Sequence, residues 1–442
     1  LPPELQGVGA PQTIDQTELF GTAVRAFLDA GPPNDDSSGW RPFARDAIAA
    51  ATGSPAGPVH VNLPFREPLL PTGDPLVEVK PLPHPASLRS VAQVGSAQLS
   101  NASGARGVLV AGWGSGVDPA VVDAFAQRTG WPVFADAISN LRTGSNAITM
   151  YESLLRADDW AEAHRPDLVV RLGAPLTSKV ANAWLDRAPR TVLIDADGVW
   201  RDPSRVAQER LHADPETVLS AATGPADREW SEGWGRAEQH ARAAFDAVLD
   251  NEPICEARIA RDIASALPDG GGLVVASSMP VRALEWAMPA RRGLTVYANR
   301  GANGIDGFVS TALGIATGHP GTTVALCGDL CFLHDTNGLL SANASRPLTF
   351  VVVDNGGGGI FSYLPQHELA EFERLFLTPQ PVDLVSVARA HGVDAERLAP
   401  GTDVAKLVVE NRDRTRVLVV PVDGAAAVAH HRAAFAAVAA RL

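Results

Sequence analysis

The chain has 442 residues, a net charge of −13, 45% apolar and 20% charged side chains, and a mean hydropathy of +0.01, proportions of a globular protein of about three domains. This excludes disorder or a fibre as the main state, and an acidic balance with no basic block argues against nucleic acid or an anionic membrane as partner. No apolar run approaches the roughly 18 residues that span a bilayer.

Residues 1–72 read as half of a domain, with apolar-periodic helices expected over 19–28 and 43–51 and a polar loop at 32–39 between them. A short alternating strand follows in Gly57-Pro58-Val59-His60-Val61-Asn62-Leu63-Pro64. Residues 73–104, rich in Pro, Ser and Gly, are predicted to be a linker leading into a central domain at 105–250. There, apolar runs at 108–111, 132–134, 168–172 and 191–194 alternate with helical stretches such as 120–128 and 179–185. That alternation specifies a parallel sheet covered by helices. A last domain, 251–442, repeats the pattern, with strands at 272–276, 295–297, 322–326, 348–353 and 416–419. Its helices are expected at 258–266, 308–316, 382–390 and 425–442. The fold class is therefore α/β, three doubly wound parallel-sheet domains with the first incomplete.

Cys255, Cys327 and Cys331 lack the spacing of a disulfide framework or a zinc site. Nothing reads as a signal peptide, which predicts a cytoplasmic protein. Gly112-Trp113-Gly114-Ser115-Gly116 follows a strand as a dinucleotide loop would, but lacks the full G-x-G-x-x-G pattern. No P-loop and no nucleophile elbow is present.

Chemistry concentrates at two strand ends. Gly328-Asp329-Leu330 closes the strand at 322–326, and Asp354-Asn355-Gly356-Gly357-Gly358-Gly359 closes the next. In α/β sheets ligands bind at carboxyl ends of strands. Adjacent ends there offer a carboxylate and a carboxamide to one point, hard oxygen donors suited to Mg²⁺ with phosphate. Glycines beside them let the backbone turn a carbonyl inward, so Asp329, Asn355 and the Gly357 carbonyl are the expected metal ligands. A helix beginning after Asp335 is expected to aim its N-terminus at a diphosphate.

This arrangement resembles the metal–diphosphate motif of thiamine diphosphate enzymes, Gly-Asp-Gly followed by Asn-Asn. Leu330 stands for the final Gly and Asp354 for the first Asn. Four surrounding segments narrow the resemblance: Asn299-Arg300-Gly301-Ala302-Asn303-Gly304-Ile305-Asp306-Gly307, Ser278-Met279-Pro280-Val281-Arg282, residues 328–339, and Gly358-Gly359-Ile360-Phe361-Ser362-Tyr363-Leu364-Pro365. They resemble the 2-succinyl-5-enolpyruvyl-6-hydroxy-3-cyclohexene-1-carboxylate synthase family of menaquinone biosynthesis, most closely over 272–380.

The resemblance implies a transferase that couples 2-oxoglutarate to isochorismate by decarboxylation and 1,4-addition, with thiamine diphosphate and Mg²⁺ or Mn²⁺, in a homodimer or homotetramer. It makes residues 1–72 the C-terminal part of the pyrimidine-binding domain and 251–442 the diphosphate- and metal-binding domain. It implies substrate contacts from Arg282, Arg300, Ser278, Gln12, Lys179, Phe361 and Leu364. Arginine forks suit the substrates' carboxylates, and Lys179 is one of three lysines. It implies cofactor contacts from Met279, Gly304, Ile305, Gly328, Leu330, Cys331 and Ile360, and leaves His334 as a proton handler or bystander. The family's activating Glu precedes Pro2-Pro3-Glu4-Leu5, and Glu4 is no substitute. The chain, which opens on Leu1, is therefore expected to be a fragment or a shortened form. Two alternatives stay open: another thiamine diphosphate-dependent 2-oxo acid decarboxylase or carboligase, and a non-catalytic truncated homologue.

Overall fold

A computed structural model describes residues 2–11, 13–33, 39–67, 69, 99, 105–199, 201–222, 227–251, 253–410 and 413–442. They fall into two compact units, one of residues 1–95 with 195–200 and 212–214, the other holding the remainder.

The first unit contains strands β1 (Phe27–Asp29) and β2 (His60–Asn62), paired in parallel with Phe27 opposite His60, and the helix Trp40–Thr52. The expected strand and the second expected helix are thus present. The helix expected over 19–28 is not: Gly21 takes a left-handed φ of 47°, which a right-handed α-helix cannot accommodate, and the stretch holds only a 3-10 turn, Gly21–Ala23, before β1. The Arg25 N–H then donates to the Pro58 carbonyl at 2.7 Å, so the backbone pairs with the β2 segment and not with itself. Phe20 and Phe27 pack on the His60 ring, centroids 4.9 and 4.8 Å away. Part of the loop at 32–39 and nearly all of the linker at 73–104 lie outside the described residues.

The second unit holds two wholly parallel sheets. The first comprises β3 (Gly107–Ala111), β4 (Val133–Ala135), β5 (Leu168–Leu172), β6 (Thr191–Ile194) and β7 (Glu209–Leu211), in the order β4-β3-β5-β6-β7. The second comprises β8 (Gly271–Val275), β9 (Leu294–Ala298), β10 (Thr323–Gly328), β11 (Leu348–Asp354), β12 (Asp394–Arg397) and β13 (Arg416–Pro421). Its order is β12-β13-β11-β10-β8-β9. Successive side chains enter different cores. Leu273, Val275, Val324, Leu326, Val351 and Val353 join one cluster, whereas Val274, Ala325, Cys327, Phe350 and Val352 join the other. Both faces are covered, which is why these strands read as unbroken apolar runs.

Gly112 ends β3 for a steric reason. A Cβ there would sit 1.6 Å from the Ala174 carbonyl oxygen, so glycine at this position permits a close approach of two backbones. Against the first sheet, Trp160, Trp184 and Trp230 surround Trp234 on the long helix Arg228–Leu249, at ring centroid distances of 4.7, 5.9 and 5.7 Å.

The helix Met279–Ala287, which follows β8, is tied to the loop after β4 by a buried ion pair. Arg142 and Glu285, with side chains 2% and 0% exposed, meet at 2.7 Å. Arg142 also donates to the carbonyls of Ala135, Glu285 and Met288, each at 3.0 Å, and Glu285 accepts from the Tyr151 hydroxyl and the Ala137 N–H. Among the described residues no helix is long and apolar enough to cross a membrane.

Candidate active site

In the six-stranded sheet the chain leaves β8 for β9 on one side and returns to β10 on the other. The crevice between the carboxyl ends of β8 and β10 is therefore a topological switch point, where open α/β sheets bind ligands. A cavity of about 210 Å³ opens there. Ser277, Ser278 and Met279 line it after β8, Gly328, Asp329, Leu330 and Cys331 at the end of β10, and Asn355 with Gly357 to Phe361 after β11. Ile305, Leu326 and Val353 give it an apolar floor.

Asp329 is 7% exposed. Its carboxyl accepts from the backbone N–H groups of Leu330, Gly357 and Gly356, which favour the charged form, but burial, with Asp354 nearby, pushes it up to about 6. Asn355 donates from Nδ2 to Glu256, while its Oδ1 is buried with no partner among the described residues. An orphaned buried carbonyl oxygen is costly unless something binds it. Gly357 has φ 124°, and a Cβ on it would sit 2.0 Å from the Leu377 carbonyl oxygen; only glycine can make this turn. A carboxylate, an unpaired carboxamide oxygen and glycine backbone form an all-oxygen donor set that fits a hard divalent cation bearing phosphate. Among the described residues no cluster of three His, Cys, Asp or Glu competes with it. Asp354 turns away, pairing with Arg397 at 2.8 Å.

The expected helix after Asp335 is absent. That residue precedes a short 3-10 segment, Thr336–Ser341, and its carboxylate accepts from the Ser310 N–H at 2.8 Å, at the start of the helix Phe308–Gly318. Serving another helix, Asp335 leaves no α-helical N-terminus of its own.

A second cavity, about 280 Å³, shares Met279 and Ile360 with the first. Arg282 and Lys179 line it, joined by Arg156, Arg432, Glu152, Tyr363 and Leu364. Arg282 Nη1 donates to the Ser278 carbonyl at 2.7 Å, and burial, followed by the proximity of Arg300, pulls its pKa below the usual range. Ser178 caps the helix Lys179–Leu185 by accepting from the Ala181 N–H at 2.9 Å and itself donates to Glu152, which fixes the backbone at Lys179. Glu152 also pairs with Arg156 at 2.6 Å.

The geometry therefore brings together Asp329, Asn355, Gly357, Gly328, Leu330, Cys331, Ile305, Ile360, Phe361, Ser278 and Met279 at one cavity, and Lys179, Arg282 and Leu364 at the adjoining one. Arg300 is exposed and, like Gly304, lines neither; a Cβ on Gly304 would meet the Ser277 Cβ at 2.4 Å. Gln12 lies outside the described residues. Burial lifts the Cys331 thiol to about 12, so it is apolar lining and not a nucleophile. His334 pairs with Asp306 at 3.2 Å. The sequence leaves Ser277, Glu256, Arg156 and Arg432 unmarked. Ser278 does carry a structural signal, a φ of 70° for a non-glycine residue, of the kind that clusters at functional sites.

A family model described as the C-terminal TPP binding domain of thiamine pyrophosphate enzymes matches residues 281–422, and one described as the middle domain of thiamine pyrophosphate matches 81–275. A protein of Myxococcus xanthus (strain DK1622) is 39% identical over 484 residues, covering 100% of this chain and 81% of its own length. One of Thermobifida fusca (strain YX) is 41% identical over 467 residues, covering 99% and 81%. One of Chloroflexus aurantiacus (strain ATCC 29366 / DSM 635 / J-10-fl) is 38% identical over 419 residues, covering 88% and 71%. All three are named 2-succinyl-5-enolpyruvyl-6-hydroxy-3-cyclohexene-1-carboxylate synthase. The chain belongs to that family of thiamine pyrophosphate enzymes.

Proposed function

We propose that this protein couples 2-oxoglutarate to isochorismate with loss of carbon dioxide, in menaquinone biosynthesis, as a homodimer or homotetramer using thiamine diphosphate with Mg²⁺ or Mn²⁺. The observation that carries the reading is the unpaired Asn355 Oδ1 beside buried Asp329, in a cavity that shares a wall with a basic one. Asp329, Asn355 and the Gly357 carbonyl would hold the cation and, through it, the cofactor's diphosphate; Ile305, Ile360 and Phe361 would pack on its rings. The cofactor supplies the electron sink that makes decarboxylation and carbon–carbon bond formation accessible. The chain's own residues position the reactants and neutralise charge. Arg282 and Lys179 supply cations for carboxylates, and Arg300, whose charge is felt at Arg282, would add a further cation outside the two cavities.

Calorimetric titration with thiamine diphosphate tests the metal half. Binding should require the cation and vanish in chelator. Only ionised Asp329 can ligate, and its carboxyl is held at about 6. Metal affinity should therefore level off above that pH and fall by about tenfold for each unit below it, as protons compete for the site. Cofactor binding indifferent to metal would reject the assignment.

Arg282→Ala tests the substrate half. Removing one charge-assisted hydrogen bond costs about 1.5–3 kcal/mol, so cofactor-loaded protein should bind 2-oxoglutarate roughly 10- to 150-fold more weakly. Unchanged affinity for this dicarboxylate, or a native preference for pyruvate, would favour a different carboligase.

A further inference from the structure

Glu256 opens the helix Glu256–Ala266 and is 99 residues from Asn355 in sequence, yet its Oε1 accepts from Asn355 Nδ2 at 3.0 Å. It is 5% exposed, so the contact is made away from water. A carboxamide has two ends of nearly equal size and opposite chemistry: one donates, the other accepts. A carboxylate oxygen only accepts. Set against Asn355, it selects the NH₂ end for itself and leaves the carbonyl end directed elsewhere, and this is the buried Oδ1 that has no partner.

Glu256 is itself confined by its surroundings. The imidazole of His431, 0% exposed, stands with Nε2 3.9 Å from Glu256 Oε2. That nitrogen already accepts from the Ala257 N–H at 3.3 Å, and the other ring nitrogen bonds the Tyr363 hydroxyl. Nε2 is thus the acceptor and Nδ1 carries the proton, and burial holds the ring neutral, with a pKa near 3. Oε1 of Glu256 accepts whether the carboxyl is charged or carries a proton on Oε2. The selection of the Asn355 orientation therefore does not depend on pH.

We propose that Glu256 is a positioning residue for the cation site, fixing Asn355 so that its carbonyl oxygen, and not its NH₂ group, faces the metal beside Asp329. This rests on the reading of Asp329, Asn355 and Gly357 as the ligand set. Without an acceptor at position 256, the carboxamide is free to turn and present a donor, which repels a cation. Outer partners of this kind are typically worth about 10–100-fold in metal affinity.

The test is direct titration with Mn²⁺ in the presence of thiamine diphosphate, following free Mn²⁺ by electron paramagnetic resonance. Native protein, Glu256→Leu, Glu256→Gln and Asp329→Ala are compared. Glu256→Leu, which fills the volume without an acceptor, should weaken Mn²⁺ binding by about 10–100-fold. Glu256→Gln keeps an acceptor oxygen and should recover most of that loss, a rescue that a mere packing role would not produce. Should Glu256→Leu fail to fold, Glu256→Asp, whose carboxylate is withdrawn by one methylene, carries the same expectation of weakened binding. Native affinity in Glu256→Leu, with binding lost in Asp329→Ala, overturns the proposal and leaves the ligand set standing. Native affinity in Asp329→Ala overturns the ligand set itself.

Discussion

Asp329→Ala should abolish metal-dependent binding of thiamine diphosphate while leaving the unliganded protein at least as stable as before. Of the three proposed ligands only Asp329 carries a charge; Asn355 and the Gly357 carbonyl are neutral, and Asp354 is engaged by Arg397. Removing the one anionic ligand proposed for a dication should exceed the roughly 10–100-fold loss that follows from disturbing an outer partner. The stability half follows from the raised pKa. Burial pushes the Asp329 carboxyl up to about 6 in the folded chain, above its ordinary value of 3.8. A carboxyl raised in this way penalises the folded state at pH above 6, and the penalty is gone once pH falls below the unfolded value. At pH 7.5 the alanine variant sheds that penalty, so its melting temperature without ligand should hold or rise. The upward shift that cofactor and metal give the native protein should disappear. A variant that melts normally and still binds the cofactor with native, metal-dependent affinity would show that the cation sits elsewhere.

Arg142→Ala should cost about 3–5 kcal/mol of unfolding free energy, the usual consequence of leaving one member of a buried ion pair alone. Glu285 is fully buried and would lose its 2.7 Å partner, while the carbonyls of Ala135 and Met288 would lose a donor. Burial already raises the Glu285 pKa, so the stranded carboxyl would bind a proton rather than remain charged. Urea unfolding of native, Arg142→Ala and the double variant Arg142→Met/Glu285→Gln separates the causes. The double variant strands no charge and should regain much of the loss. A deficit below about 1 kcal/mol in Arg142→Ala would mean that water reaches and solvates Glu285.

The parallel strands were legible because each sheet is covered on both faces, which made β5, β6, β10 and β11 plain apolar runs. β12, with the sequence Asp-Ala-Glu-Arg, was not legible: it is an edge strand with Ala395 alone buried, and nothing in its composition requires a sheet. The 22-residue helix Arg228–Leu249 also escaped, because Gly233 and Gly235 interrupt the pattern whose apolar side is carried by Trp230, Trp234 and Phe245. Asp329 and Asn355 could be found because each directly closes a strand. Glu256 and Arg432 could not, since their relation to the site is made across roughly a hundred residues or more of chain, where local periodicity holds no information. The absent helix at 19–28 has the converse cause: its apolar spacing is helical, but Gly21 turns left-handed and Phe27 and Leu28 pair in β1.

The four packed indoles on the first sheet give the protein a built-in optical ruler. Trp160, Trp184 and Trp230 each lie within coupling distance of the fully buried Trp234 in an asymmetric setting, so their near-ultraviolet circular dichroism reports whether the helical layer is closed on its sheet. Trp286 stands apart, on the wall of the basic cavity and edge-on to Tyr363. The cluster thus reports assembly of the scaffold, and Trp286, resolved from the chain's other indoles by its Phe variant, reports on the basic cavity, with no label attached.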